Sequence, residues 1–332
     1  MKTFRRRPFL VGEISFNYYD LANRENLPYF DVAKLLIDKC KMSGVNGVNF
    51  HVGDSEFLHC GHDNELIEDQ LTLDEYKQLA RYAKQLDLVF IITPANENIV
   101  DELDEFVDVY KIASGDLTNI PFIDYISKKQ KPILLGTGAS NIKEIKAAID
   151  CIEDNSNFNT VIMHAVLSYP TKLRDANLLM IKDLSESFEG YEVGYSDYTI
   201  SDNYMFTLTT AYNYGAVVLE KYFTLDKSLE NHKFSIDEED VRIFNLNMDV
   251  LSKINGFKNK QPLICESYSR KCVRKSICAK KDIKMGELIN ESDIIIKRPG
   301  SGISPSEIDN VIGKKANKTI SKGSLIDYDM LS

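Results

Sequence analysis

A chain of 332 residues with 43% hydrophobic residues is long enough for one large domain plus a small appendage. Its net charge of −10 and pI near 5.2 argue against a nucleic-acid or anionic-membrane partner. No apolar run of transmembrane or signal-peptide kind is present. Six scattered cysteines without a CxxC pair read as reduced thiols of a cytoplasmic protein.

The first two-thirds alternate short β-rich runs with amphipathic segments, the pattern of repeated βα units. Candidate strands are Phe9–Ile14, Gly47–His51, Leu88–Thr93, Val109–Ala113, Pro132–Gly136, Thr160–His164, Glu192–Ser196 and Ala216–Glu220. The clearest helical periodicity lies at Asp31–Ser43 and Leu73–Gln85. Eight such units predict a closed (β/α)8 (TIM) barrel over residues 1–256, of the usual size of roughly 250 residues. The alternative is an open doubly wound sheet, but no GxGxxG follows the first strand.

The polar, Pro-containing stretch 257–275 reads as a linker. Beyond it, residues 276–332 contain short β-like pieces broken by Gly and Pro. Two of them, DIKMGELI (282–289) and TISKGSLI (319–326), form a loose internal echo. A compact β-rich domain of about 60 residues is marginal alone and is expected to dock on something.

Several motifs then occur in order. They are VGEISFN (Val11–Asn17), YKIASGD (Tyr110–Asp116), LLGTGAS (Leu134–Ser140) and MHAVLSYPT (Met163–Thr171). They continue with VGYSDYT (Val193–Thr199), VLEKYFTLDK (Val218–Lys227), NHKFSI (Asn231–Ile236) and KRPGSGI (Lys297–Ile303). Together they resemble the sialic acid synthase family, the phosphoenolpyruvate-condensing enzymes that make nonulosonic acids. The resemblance implies a TIM barrel followed by an antifreeze-like (SAF) domain. It also implies a domain-swapped homodimer with each small domain over its partner's barrel mouth. Its ligands would be phosphoenolpyruvate and an N-acylated amino-sugar aldehyde, and its cofactor a divalent metal, Mn or Mg.

Active sites of barrels lie at the carboxyl ends of the strands, where these motif residues fall. Glu13 matches a sugar-contacting glutamate, with Asn17 beside it on the loop; the bland alternative is a solvated carboxylate. Lys111 with Ser114-Gly115 matches a phosphate site, since an inward ammonium and a Ser-Gly turn suit an anion. The alternative is a lysine ion-paired inside the barrel, to Glu220 for example. Thr93 and Thr137 fit further substrate contacts or ordinary strand-end hydroxyls. His164 ends the sixth strand and Tyr169 follows it, and a lone strand-end histidine is often simply hydrogen-bonded. Ser196, Asp197 and Glu220 make an acceptor-rich rim suited to hydroxyl recognition or proton transfer. Asn231 and His232 lie in a further substrate motif. Arg298 matches an arginine offered to the partner's sugar site, a surface arginine being its alternative.

Glu13, Lys111, Asp197 and Glu220 are therefore the expected working residues. The chain also departs from the resembled pattern. The two metal-binding histidines are replaced by Tyr198 and Tyr222, and a neutral phenol is a poor ligand for a hard cation. A second-strand lysine is Asn49, a serine before the TG pair is Gly136, and an aspartate is Asn231. Residues 17–20 read NYYD, Leu167 replaces a polar residue, and Asp116 stands where a glutamate is usual. His51, His59, Cys60 and His62 gather after the second strand, but their spacing fits no standard zinc site. Three readings follow: a nonulosonic acid synthase, a same-fold enzyme with metal-independent chemistry on a related sugar, or a sugar-binding pseudoenzyme.

Overall fold

The computed structural model describes residues 7–53, 71–155 and 160–332. The chain forms two compact units, residues 1–255 and 256–332. In the first, eight parallel strands close into a barrel in sequence order. They are β1 (Phe9–Glu13), β2 (Gly47–Val52), β3 (Val89–Pro94), β4 (Val109–Ile112), β5 (Ile133–Gly136), β6 (Thr160–Ala165), β7 (Glu192–Asp197) and β8 (Val218–Tyr222). The expected closed barrel is what forms, and the open sheet is excluded by the β1–β8 pairing.

Around it the described helices are α1 (Asn17–Glu25), α2 (Tyr29–Ser43), α3 (Leu73–Gln85), α4 (Glu97–Leu103), α5 (Ile120–Ser127), α6 (Ile142–Asn155), α7 (Met180–Ser187), α8 (Phe206–Asn213) and α9 (Glu238–Ile254). The α2 helix starts two residues earlier than its apolar periodicity suggests, directly after Pro28, its extended N-cap residue at φ −62°. Thr72 and Glu75 form a capping box on α3, and Asp237 with Asp240 does the same for α9. Each box satisfies backbone N–H groups that have no partner in the first turn.

Two apolar layers result. Helix faces such as Val32, Leu36, Ile37 and Cys40 of α2 pack on outward strand residues including Phe50, Phe90, Tyr110 and Leu219. Inside the barrel, Val11, Ile91, Leu134, Val161, Met163 and Val218 fill the lower part. Burying that much aliphatic surface at about 25 cal/mol per Å2 is the main force holding the barrel.

β8 begins at Val218 rather than Ala216, because Gly215 at φ +112° is still turning the chain. The two-residue shift brings Tyr222 into the strand, opposite Glu13 in the β1–β8 register.

The second unit has its own core, including Ile277, Ile283, Ile289, Val311, Ile320 and Ile326. Its two-stranded antiparallel sheet pairs β9 (Ser276–Ala279) with β10 (Ile294–Lys297). The internal echo is structural: Ile283 bridges Ile320, its counterpart in the second copy, and Gly286 and Gly323 both take left-handed turns at φ +83° and +85°. Residues of the expected linker are partly ordered, with a turn at Ile264–Glu266 and a short helix α10 (Ser267–Cys272).

Candidate functional site

At the carboxyl end of the barrel the inward positions turn from apolar to polar. Glu13 closes β1, Asn49 and His51 lie on β2, Thr93 on β3, Lys111 on β4, Ser196 on β7 and Glu220 on β8. Glu220 Oε2 accepts hydrogen bonds from Lys111 Nζ at 2.6 Å and Ser196 Oγ at 2.7 Å. Its Oε1 accepts from Asn49 Nδ2 at 3.1 Å, and Asn49 is tied in turn to Thr93. Lys111 Nζ also reaches Glu13 Oε2 at 3.5 Å. Glu13 and Glu220 are completely buried, and Lys111 is 3% exposed. Glu13 is thus an interior carboxylate, not a solvated loop residue.

The electrostatics follow from this packing. Burial would raise the Glu13 carboxyl, but Lys111 and His51 beside it hold it below the usual carboxylate range. Burial and the neighbouring Glu13 charge push Glu220 up, against the pull of Lys111 and Ser196. Burial works against the Lys111 ammonium, yet the two carboxylates outweigh it and raise its pKa. Two carboxylates against one ammonium (−1 −1 +1) leave an excess negative charge in this cluster. His51 Nε2 lies 2.9 Å from Glu13 Oε1, an ion-pair contact that leaves this buried oxygen without an aligned hydrogen bond. Such an oxygen is costly unless a ligand satisfies it.

Above this cluster four aromatic rings close a ring of contacts. Tyr169 packs on Tyr198 at 4.6 Å, Tyr198 on Tyr222 at 6.1 Å, Tyr222 on Phe234 at 5.0 Å, and Phe234 on Tyr169 at 6.0 Å. Burial, Glu13 and Glu220 push the Tyr198 phenol well up, and burial with Glu13 does the same to Tyr222. A phenol is a good ligand for a divalent ion only once deprotonated, and these phenols are driven the other way. The pair does not fit the metal that the resemblance implies at positions 198 and 222. Among the described residues, no three His, Cys, Asp or Glu side chains converge on a point that could hold an ion. His59, Cys60 and His62 lie outside the described residues.

Other expected site residues are not brought to this cluster. Asp197 points to the outer face of the barrel, where Lys221 Nζ (2.9 Å), the Tyr195 hydroxyl (3.1 Å) and the Thr199 N–H (2.9 Å) all donate to it. His164 also faces outward, with Nε2 2.9 Å from the Ala176 carbonyl and its ring stacked on Tyr195. Ser114 Oγ accepts from the Gly138 N–H at 2.9 Å, and Thr137 donates to the Met163 carbonyl at 2.9 Å. Asn17 ties β1 to the β8 loop by donating to the Phe223 carbonyl and Ser235. His232 Nδ1 lies 2.6 Å from Thr224 Oγ1, and Asn231 donates to Asp20. Arg298 sits in the second unit ahead of Pro299, whose carbonyl accepts from Ser276 Oγ at 2.8 Å. Sequence reading gave no role to Asn49 beyond a lost lysine; as a dual hydrogen-bonding residue it is visible only once β2, β3 and β8 meet. Phe234 was likewise invisible, since only folding brings the loop after β8 over Tyr222.

The NeuB family model matches residues 63–260 and the SAF domain model residues 274–332. The chain is 34% identical over 262 residues to the N,N'-diacetyllegionaminic acid synthase of Campylobacter jejuni, covering 77% of each chain. It is 32% identical over 322 residues to the Legionella pneumophila enzyme of the same name, covering 90% of this chain and 89% of that one. Among solved structures, the putative spore coat polysaccharide biosynthesis protein E of Chromobacterium violaceum superposes with a TM-score of 0.81 at 21% identity, covering 98% of this chain and all of that one. With its closed eight-stranded barrel and its C-terminal SAF domain, the chain belongs to the NeuB family of sialic-acid-synthase-type proteins.

Proposed function

We propose that this chain is a nonulosonic acid synthase: it joins phosphoenolpyruvate to a six-carbon N-acylated amino-sugar aldehyde and releases inorganic phosphate. The balance is simple. Three carbons and six carbons make the nine-carbon acid, the aldehyde oxygen becomes a hydroxyl, and water replaces the phosphate ester oxygen. The relatives named as diacetyllegionaminic acid synthases support a diacetamido hexose as the sugar. The observation that carries the reading is the buried Glu13–Lys111–Glu220 cluster at the carboxyl end of the barrel, where barrels place their chemistry. Within it Lys111 is the cation available to an enolpyruvate carboxylate or phosphate, and the buried Glu13 carboxylate, with His51 beside its Oε1, accepts from a sugar hydroxyl or amide. Arg298 of the SAF domain would be a further sugar contact of this reading. Domain-swapped homodimers would deliver that arginine to the partner's barrel.

No step here runs through a metal, because the phenols at positions 198 and 222 do not suit one. The test is incubation with phosphoenolpyruvate and a panel of N-acetylmannosamine-type and diacetamido aldehyde sugars, with and without Mn2+. Phosphate release dependent on one sugar is the expected result; none across the panel removes the reading.

One observation favours a second reading, a sugar-binding pseudoenzyme. The Lys111 charge is already matched by two buried carboxylates, which weakens its attraction for an anion. Sugar binding without phosphate release would select that reading.

A further inference from the structure

The aromatic quartet over the polar cluster contains more than packing. Three of its four rings carry hydroxyls, contributed by separate segments: Tyr169 after β6, Tyr198 after β7 and Tyr222 at the end of β8. Tyr198 is buried, Tyr222 and Phe234 are half-buried, and Tyr169 is exposed. The quartet therefore has one face in the interior and one open. Tyr169 and Tyr198 meet as tilted rings with centroids 4.6 Å apart. No hydrogen bond to the Tyr222 hydroxyl is made among the described residues, and this residue stands opposite Glu13 across the β1–β8 pair. Neighbouring strands lie about 4.8 Å apart. Glu13, fully buried and with His51 Nε2 2.9 Å from its Oε1, thus stands on the strand beside this phenol.

This juxtaposition specifies a ligand. It must offer an acceptor oxygen to the phenols, a donor to Glu13 and an apolar face to the rings. A divalent cation offers none of these. An anion meets the Glu13 charge, with the nearest ammonium already shared between two carboxylates. A neutral polyhydroxyl compound with a carbonyl satisfies all three, and sugars stack their C–H faces on aromatic rings. We propose that Tyr169, Tyr198 and Tyr222, backed by Phe234, form a hydrogen-bond-donating aromatic platform that holds the carbonyl end of the amino sugar without a metal ion. This rests on the sugar specificity proposed above, and it assigns the phenols a role at the two positions where the resemblance implies imidazoles.

The experiment measures sugar binding, not turnover. N-acetylmannosamine and a diacetamido hexose are titrated calorimetrically into the full chain after chelator treatment, and Mn2+ is titrated separately. The same is done for Tyr222→Phe and Tyr169→Phe, which keep the rings and hence the packing; melting curves confirm the fold. One lost hydrogen bond to a neutral ligand corresponds to about tenfold in affinity. Metal-free binding weakened about tenfold by Tyr222→Phe, with no stoichiometric Mn2+ uptake, is the expected result. Sugar binding that requires stoichiometric Mn2+, or that is unchanged in both variants, overturns the platform while leaving the synthase reading intact. Failure of the wild-type chain to bind any of these sugars overturns both. Binding that survives in a chain inactive with phosphoenolpyruvate overturns only the synthase reading.

Discussion

Lys111 and Glu220 meet inside the barrel at 2.6 Å, from strands β4 and β8 that do not touch each other in the sheet. Their pairing spans the barrel interior and recruits Glu13, Asn49 and Ser196 around it. A buried pair of this kind is held by mutual compensation, so its members are unequal to lose singly and together.

Lys111→Met leaves Glu13 and Glu220 buried without their common cation. The expected loss of stability is about 3–5 kcal/mol, read as a lower urea midpoint. Adding Glu220→Gln to Lys111→Met removes one of the two uncompensated charges and is expected to recover about half of that loss. Equal midpoints for the single and double variants would show that the pair is not what the lysine stabilises.

Asn49→Lys changes the charge of the cluster. Asn49 Nδ2 lies 3.1 Å from Glu220 Oε1, so a lysine there supplies a second ammonium against the two carboxylates. That cancels the excess negative charge and frees Lys111 for an anion. Phosphoenolpyruvate affinity is expected to rise at least about tenfold by calorimetry. An unchanged affinity would place the anion site away from Lys111.

Two buried imidazoles set a pH limit on stability. Burial lowers the His164 pKa against a raising contact from the Ala176 carbonyl, and burial lowers His232 against Asp20. The unfolded chain therefore takes up protons near 6.5 that the folded chain refuses. Stability is fully present above that value and is lost as the pH falls through it. The denaturation midpoint should drop between pH 7.5 and 5.5, and His164→Gln should flatten the drop. A wild-type midpoint independent of pH over this range would contradict the assignment.

Gly136 occupies the position where the resembled motif carries serine. A Cβ there would lie 2.8 Å from both the backbone nitrogen and Oγ of Ser114, and 3.0 Å from the Ile112 carbonyl. Gly136→Ser is expected to cost about 1–3 kcal/mol through this overpacking. Displacing Ser114 should also disturb the hydrogen bond it accepts from Gly138. A thermal melt at the wild-type temperature would show that the turn after β4 yields freely.

Much of the molecule is legible in the sequence. Every strand of the barrel falls on a short β-rich run of the sequence, and α3 falls at Leu73–Gln85 as its periodicity and the Thr72–Glu75 box dictate. The echo in the C-terminal unit, with Gly286 and Gly323 at equivalent turns, is equally plain. These features are local: they depend on period, caps and glycine, all of which operate within a few residues.

Direction is not local. Parallel strands buried on both faces read as continuous apolar runs, so the sequence does not say which strand-end residue points into the barrel. On β7, Ser196 turns inward to Glu220 while its neighbour Asp197 turns outward to Lys221. His164 on β6 turns outward as well. The sequence by itself determined the strands, their number and the charged residues at their ends. Only barrel closure, which fixes the register of β1 against β8 and of each strand against the next, decided that Glu13, Lys111 and Glu220 share one interior and that Tyr222 faces Glu13. A one-residue slip exchanges the two faces of a strand, and the information that prevents it is spread over the whole ring.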